Sequence, residues 1–323
     1  MPAGQLIAPS LTEEEFVMQS LRTAALRADG RAFSKARPVA IEFGDQPGWC
    51  EVSIGDTIII ASVNATLTAP RPERPYEGLL QITTDTSPMA GVEYDVGGVS
   101  GAATDPRMRE ALLDRMVERA VRHTEAVDRE ALCIIAGKMV WSINLSLHLV
   151  SDGGAAFDAA VLASIVALRH YRRPDVTIVD GEVIVHSPDE RVPVPLACPH
   201  MPLCVTYAVF MLQPQTDEER SRLLAQSRDA MDVVATDKQT DPDVPVALLD
   251  PSLLEQTLAH TTVTMVVNAQ REVCVLDKAG GIALPYQTIL ALLGDAAARA
   301  SELARLVDRT LADDLKKRVE SVL

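Results

Sequence analysis

Residues 142–170 have the sequence SINLSLHLV SDGGAAFDAA VLASIVALRH, which contains the clearest strand and helix signals of the chain. Polar and apolar side chains alternate over its first eight residues, which predicts a strand with one buried face. Asp152-Gly153-Gly154 then turns the chain into a helix predicted at 159–170, which Arg172-Arg173-Pro174 ends. A strand followed closely by an apolar helix indicates a sheet with a helix packed on it.

Toward the N-terminus the sequence predicts a helix and then an antiparallel sheet. Thr12 and Glu15 have the spacing of a capping box, and Asp29-Gly30 is a typical helix end. Gly55-Asp56 suits a two-residue hairpin turn between two apolar runs. The predicted strands lie at residues 39–43, 49–54, 57–63 and 79–84.

A second helix is predicted at about 105–123, and Asp105 with Pro106 begins it. Apolar residues recur along it at helical spacing, which predicts a single buried stripe. The stripe consists of Met108, Ala111, Leu112, Met116, Ala120 and Val121.

The rest of the chain repeats the order of strands followed by helices. The proline-rich segment 187–202 has no room for regular structure and marks the boundary between two halves. A charged insertion occupies about residues 213–243. The other predicted elements are a hairpin at 177–179 and 182–185, strands at 204–210 and 246–249, a hairpin of 260–267 with 272–276, and two closing helices from Pro285 and Ala297. The predicted fold class is therefore α+β, with helices packed on a sheet in each half.

Charge and composition limit the classes of function. The chain has 323 residues, with 30 Lys and Arg against 45 Asp and Glu, and its net charge is −15. This balance argues against a broad basic surface, so any contact with nucleic acid must be local or shared with partners. No apolar run is long enough to cross a bilayer, and we expect an intracellular protein with no membrane partner. The five cysteines form no Cys-x-x-Cys pair, and we expect them to be reduced.

The sequence favours neither a metal site nor a cofactor site. Cys198, His200 and Cys204 lie close together but lack a fourth ligand, so a zinc site is disfavoured. No Gly-x-x-x-x-Gly-Lys loop is present. Three acids near the end of the insertion are interpreted as solvated loop residues, namely Asp241, Asp243 and Asp250.

The arginines are the remaining candidates for a functional site. Arg71 and Arg74 lie on a loop stiffened by prolines, while Arg115, Arg119 and Arg122 recur at spacings of three and four residues. Such spacing places the last three on one helix face, where they could follow the phosphates of a nucleic acid. The alternative is a solvated face whose arginines pair with Glu110, Asp114 and Glu118.

Several motifs together resemble the RNase PH family. They are RMVERAVR at 115–122, LCIIAGK at 132–138, DGG at 152–154, LRHYRRPDV at 168–176, HMPLCV at 200–205 and LDP at 249–251. The resemblance covers about residues 12–300 and implies an RNase PH-like (ribosomal protein S5 domain 2-like) fold. We expect an N-terminal helical arm at 1–30, a first half at 31–190, and a second half at 191–323. The insertion at about 213–243 is not part of the family pattern.

Active members of this family are phosphorolytic exoribonucleases, and the resemblance implies that this chain lacks their catalytic groups. Their phosphate loop continues from Asp-Gly-Gly into Thr-Arg-Thr, whereas this chain has Ala155, Ala156 and Phe157. They also carry an acid in the strand that opens the second half, where this chain has CVTYA at 204–208, and Asp250 matches a second acid. We therefore expect no catalytic residue. The alternative is an active phosphate-dependent 3′-to-5′ exoribonuclease.

Within the family, the chain is most similar to noncatalytic ring subunits of the eukaryotic RNA exosome. The resemblance implies a hetero-hexameric ring with other RNase PH-like subunits, cap subunits with S1 or KH domains, and single-stranded RNA in a central channel. It also implies a location in the nucleus and nucleolus and in the cytoplasm. Arg74 and Arg119 match arginines that the family turns toward RNA. The expected RNA-binding residues are Arg71, Arg74, Arg115, Arg119 and Arg122.

One further expectation concerns assembly, and one alternative concerns RNA contact. Apolar strands such as 140–150 and 262–267 are expected to be edge strands that leave pairing groups exposed in a lone monomer. A scaffold that contacts no RNA is the alternative to an RNA-guiding subunit.

Overall fold

A computed structural model describes residues 9–91, 94, 106–179, 182–188, 190–213, 216–230 and 244–322. Two main sheets form the frame of the molecule, and one buried helix lies between them. The predicted N-cap Asp105, the turn at 180–181 and residues 231–243 of the insertion lie outside the described residues.

The first sheet has six strands in the order β1-β2-β3-β6-β4, with β5 also paired to β6. They are β1 (Val39–Phe43), β2 (Trp49–Ile54), β3 (Thr57–Thr68), β4 (Leu79–Thr86), β5 (Cys133–Ile135) and β6 (Met139–Ser151). The sheet is not fully antiparallel as predicted, because β4 pairs with β6 in parallel. The chain between these two strands crosses over through a helix, which a parallel pair requires.

Four short strands follow the buried helix. They pair as two small ladders, β7 (Arg172–Arg173) with β10 (Val194–Pro195) and β8 (Val176–Val179) with β9 (Glu182–Val185). The second main sheet then has the order β12-β11-β13-β14. Its strands are β11 (Leu203–Leu212), β12 (Val244–Leu249), β13 (Thr261–Val267) and β14 (Val273–Lys278). The proline-rich boundary segment thus contains one short strand, β10, although none was predicted there.

Six α-helices lie in the described part of the chain. They are α1 (Leu11–Gln19), α2 (Pro106–Val117), α3 (Ala156–His170), α4 (Asp217–Ala230), α5 (Leu253–Leu258) and α6 (Tyr286–Val322). Two π-helical turns, Ser20–Ala24 and Glu118–Arg122, extend α1 and α2. The two predicted closing helices are one continuous helix, α6, because residues 286–322 contain no helix-breaking Pro.

Helix α3 is the centre of the core. It packs against β2 and β3 of the first sheet and against β11 of the second. Its residues from Asp158 to Leu168 are all buried, as expected for a helix covered on every side. The alternation predicted for β6 is confirmed, since Ile143, Leu145, Leu147 and Leu149 are at most 1% exposed.

The N-terminal arm supplies a second, smaller core on the other face of the second sheet. Val17, Leu21, Ala25 and Phe33 pack in one buried cluster with side chains of β11 and β12. Strand β11 is therefore covered on both faces, which explains its almost continuous run of buried residues.

Local details of two helices differ from the sequence predictions. The capping box of α1 is formed by Ser10 and Glu13, two residues earlier than predicted. The π-helical turn ends at Ala24, with Ala25 as its C-cap, rather than at Asp29-Gly30. In α2 the stripe residues Met108, Ala111 and Leu112 are exposed. The buried face of α2 and its π-helical turn consists of Leu113, Met116, Val117, Ala120 and Val121.

The expected edge strands lie inside their sheets. Strand β6 pairs with β3 and β4, and β13 pairs with β11 and β14, so that expectation was wrong. The outer strands of the two sheets are β1 and β4, and β12 and β14. All five cysteines are free, and among the described helices none is long and apolar enough to cross a membrane.

Candidate functional site

The loop between β6 and α3 carries the Asp-Gly-Gly motif of the expected phosphate loop, and its backbone donors are used within the chain. The Gly153 N–H donates to Thr57 Oγ1 at 3.1 Å, and the Gly154 N–H donates to Asp152 Oδ1 at 2.9 Å. The Ala155 N–H donates to Gln256 Oε1 at 3.2 Å. Three consecutive N–H groups at the start of α3 therefore already have oxygen acceptors.

The segment before α5 covers the same loop. Gly154 has φ +102°, and a Cβ there would lie 2.5 Å from the backbone of residues 251–253. Leu253 donates its N–H to Gly153 O at 3.0 Å. Only glycine allows this approach, because the backbone conformation and the lack of space both exclude a side chain. The loop is thus closed over by a segment of the second half.

Beside the loop lies a cavity of about 540 Å³, which Ala156 and Phe157 line together with Asp152. Tyr94 donates its hydroxyl to Asp152 Oδ2 at 2.6 Å, and burial raises the pKa of Tyr94. Ala156 and Phe157 bring no hydroxyl or guanidinium to this cavity. Its lining acids are Asp152 and Asp277.

Asp250, the match for a second acid, is held in a network of arginines. Its carboxylate accepts from Arg37 Nη2 at 2.6 Å, from the Arg37 N–H at 2.7 Å, and from Arg31 Nη1 at 3.2 Å. The Arg37 guanidinium also donates to the carbonyls of Gly153 and Gly154. The Asp250 side chain is only 5% exposed and does not line the cavity beside the loop. Its carboxylate joins the two halves of the molecule.

Asp158 is a buried acid that the sequence did not single out as a functional group. It lies in the first turn of α3 and accepts from the Thr206 N–H at 2.9 Å and from Thr206 Oγ1 at 2.6 Å. Burial raises the pKa of the Asp158 carboxyl to about 6 from its ordinary value of 3.8. Thr206 belongs to β11, so this contact also ties α3 to the second sheet.

This raised pKa predicts a specific pH dependence of stability. As the pH rises through the interval between the two pKa values, the folded state retains a proton that the unfolded state has lost, so stability falls. We expect the free energy of unfolding of the wild type, relative to Asp158→Asn, to fall by about 2–3 kcal/mol between pH 4 and pH 7. Urea titrations at several pH values measure this difference. If the stabilities of the two proteins changed with pH in parallel, the raised pKa of Asp158 would be contradicted.

The five predicted RNA-binding arginines fall into two groups. Arg71, Arg74 and Arg122 line a cavity of about 490 Å³. Arg115 and Arg119 line the 540 Å³ cavity beside the loop, and Arg119 also borders a cavity of about 650 Å³. The three helix arginines therefore do not share one cavity. The π-helical turn Glu118–Arg122 is wider than an α-helical turn, and this shifts Arg122 around the axis.

Three of these arginines have carboxylate partners. Arg122 Nη1 lies 2.5 Å from Glu118 Oε1, as the alternative of a paired face predicted. Arg119 Nη1 donates to Asp277 Oδ1 of β14 at 3.0 Å, and Arg74 Nη1 lies 3.1 Å from Glu77 Oε2. Within the part of the chain that the structure describes, Arg71 and Arg115 have neither an ion pair nor a side-chain hydrogen bond.

Sequence reasoning missed Arg129, which lines the same cavity as Arg71, Arg74 and Arg122. Its Nη1 lies 3.2 Å from Glu77 Oε2, so Glu77 bridges two arginines that are 55 residues apart in sequence. The sequence feature that could have identified Arg129 is its position in the charged loop after α2. As for metals, the described residues contain no group of three or more His, Cys, Asp or Glu side chains that could hold an ion.

Comparisons with known proteins agree with this geometry. Models of the 3′ exoribonuclease family match residues 35–174 (domain 1) and residues 238–298 (domain 2). Exosome complex component rrp45 of Schizosaccharomyces pombe is 35% identical over 309 residues, which are 96% of this chain and 93% of that protein. Exosome complex component RRP45 of Saccharomyces cerevisiae is 32% identical with the same coverage.

A solved structure supports the fold. A chain of the Archaeoglobus fulgidus exosome with RNA bound to the active site has a TM-score of 0.65 and 25% identity, and the match covers 90% of this chain and 96% of that one. Fold, family models and relatives agree over most of the sequence. The chain therefore belongs to the 3′ exoribonuclease (RNase PH) family, within its group of exosome complex components named RRP45.

Proposed function

We propose that the chain is a noncatalytic ring subunit of an RNA exosome core that supports 3′-to-5′ RNA processing and degradation. It assembles with other RNase PH-like subunits into a hetero-hexameric ring, beside cap subunits with S1 or KH domains, and helps to guide single-stranded RNA through the channel. The support comes from its relatives, which are named exosome complex components and which the chain matches over 93% of their length. The same role places it in the nucleus and nucleolus and in the cytoplasm.

The lack of catalysis rests mainly on the loop before α3. Phosphorolysis requires a bound phosphate dianion, which needs donors and positive charge to offset its own charge. Here Thr57, Asp152 and Gln256 already accept from the N–H groups of residues 153–155. Ala155, Ala156 and Phe157, which stand where the family loop has Thr-Arg-Thr, add neither a hydroxyl donor nor a guanidinium charge.

We expect no phosphate-dependent release of nucleoside diphosphates from single-stranded RNA by the purified chain. Chromatography of products from 5′-labelled and uniformly labelled RNA, with and without inorganic phosphate, measures this. A variant that restores the family loop, Ala155→Thr with Ala156→Arg and Phe157→Thr, should remain inactive. Gln256 and residues 251–253 still cover the loop in that variant. Phosphate-dependent shortening by the wild type, abolished in Asp250→Asn, would contradict the proposal.

Assembly is tested separately from catalysis. Mass spectrometry of the proteins that co-purify with the native chain should identify other RNase PH-like subunits in equal amounts. Recovery of the chain without such partners would contradict the ring role. This measurement does not depend on whether the chain contacts RNA.

The scaffold without RNA contact remains a second candidate, because three of the five predicted arginines are paired with carboxylates. A net charge of −15 fits either role. A photoreactive side chain placed at position 71 or 115 of the assembled complex separates the two, since only the RNA-guiding subunit should form a crosslink to RNA.

A further inference from the structure

We propose that the 490 Å³ cavity is a binding site for a backbone phosphate of single-stranded RNA, with the partly buried Arg129 at its inner end and Glu77 as a competitor that limits its affinity. Four arginines and three glutamates line this cavity, namely Arg71, Arg74, Arg122 and Arg129 with Glu73, Glu77 and Glu125. The inference rests on the proposed RNA contact and adds two residues to it. Neither Glu77 nor Arg129 belongs to the predicted set.

The loop that carries Arg71 and Arg74 is held in place by backbone bonds. Gly78 donates its N–H to Arg129 O at 2.8 Å, and Gly137 donates its N–H to Pro75 O at 3.0 Å. A Cβ at Gly78 would clash with the Leu132 side chain and with a backbone carbonyl of β6. The close approach brings the loop against the segment of Arg129, so the arginines are preorganised rather than scattered on a mobile loop.

Glu77 holds two guanidinium groups at this junction. Its carboxylate lies 3.1 Å from Arg74 Nη1 and 3.2 Å from Arg129 Nη1. The Arg74 side chain is 60% exposed, the Glu77 side chain 26% and the Arg129 side chain 19%. Arg129 therefore lies at the inner end of the cavity, and Arg74 lies at its mouth.

Arg129 also pairs with Glu125, at 3.7 Å between Nη2 and Oε1. A guanidinium has five N–H donors in a planar fork, so these carboxylate contacts still leave donors on Arg74 and Arg129 for another anion. An RNA phosphate carries two free oxygens and can accept from the same two guanidiniums. Glu77 carries the same sign of charge as the phosphate and lies within ion-pair distance of both arginines. Its charge therefore weakens phosphate binding while keeping the empty site stable.

The test compares variants of the assembled complex for affinity to a fluorescent, unstructured oligouridine. At low salt, Glu77→Gln should bind about three- to tenfold more tightly than the wild type, and Arg129→Gln about three- to tenfold more weakly. Both differences should shrink as salt rises. The matched controls are Asp175→Asn and Arg191→Gln, which remove the same charges from an ion pair of 3.0 Å outside the cavity.

Unchanged or weaker binding by Glu77→Gln, in a complex of normal composition, would overturn the role of Glu77. Unchanged binding by Arg129→Gln would overturn the role of Arg129. If that variant does not assemble, Arg129→Lys keeps the charge but loses the planar fork and should bind less tightly than the wild type. A complex with Arg115→Glu, whose side chain lines the 540 Å³ cavity and not the 490 Å³ cavity, separates the two proposals. If this complex, like Glu77→Gln and Arg129→Gln, binds RNA with wild-type affinity, the RNA contact itself is wrong. If it binds weakly while Glu77→Gln and Arg129→Gln bind as the wild type does, the RNA contact stands and only the proposed phosphate site is overturned.

Discussion

Replacement of Arg27 by methionine should lower the free energy of unfolding by about 3–5 kcal/mol, since it leaves a buried carboxylate without its partner. The Arg27 side chain is fully buried, and its Nε donates to Glu255 Oε1 at 2.9 Å. It also donates to Leu249 O at 2.7 Å and to Asp250 O at 2.9 Å. One side chain of the N-terminal arm thus satisfies one carboxylate and two carbonyls of the second half.

Urea denaturation followed by circular dichroism measures this loss. The matched control is Arg191→Met, which removes an exposed arginine from its pair with Asp175 and should cost less than about 1 kcal/mol. Adding Glu255→Gln to Arg27→Met should recover part of the loss, because the unpaired buried charge is then removed. A midpoint equal to that of the wild type for Arg27→Met would show that the arm contributes little to stability.

The largest expected effect on RNA concerns Arg71 and Arg115, the two predicted arginines without a carboxylate partner in the described part of the chain. An assembled complex with Arg71→Glu and Arg115→Glu should bind single-stranded RNA about ten- to a hundredfold more weakly at low salt. The slope of log affinity against log salt should fall by about 0.7 for each lost phosphate contact. Sequence preference should not change, because phosphate contacts carry none.

Fluorescence anisotropy at four salt concentrations measures the affinity and its dependence on salt. The length of RNA that the complex protects from nuclease shows whether RNA still enters the channel. Arg191→Glu with Arg222→Glu is the control, because both residues are exposed, both lie outside the three cavities that the predicted arginines line, and the net charge changes equally. Normal affinity and a normal protected length in the test complex would favour the scaffold that contacts no RNA.

Features set by neighbouring residues were predictable. The alternation in β6, the hairpin turn at Gly55-Asp56 and the antiparallel pairing of β8 with β9 agree with the sequence predictions. The lack of a hydroxyl or a guanidinium at Ala155, Ala156 and Phe157 is also a property of the sequence. Local periodicity failed in the first turns of α2, where Met108 and Leu112 are apolar but exposed.

Most of the strand and helix pattern and the α+β class could thus be predicted from the residues alone, because these features depend on contacts within a few residues. The ion pairs and hydrogen bonds between distant residues became visible in the folded chain alone. Arg119 pairs with Asp277, Arg37 with Asp250, and Gln256 accepts from the Ala155 N–H, across separations of 158, 213 and 101 residues. Ion pairs and caps of this kind have no period or spacing in the sequence, since they arise where α3 and the two sheets bring distant segments within about 3 Å of each other.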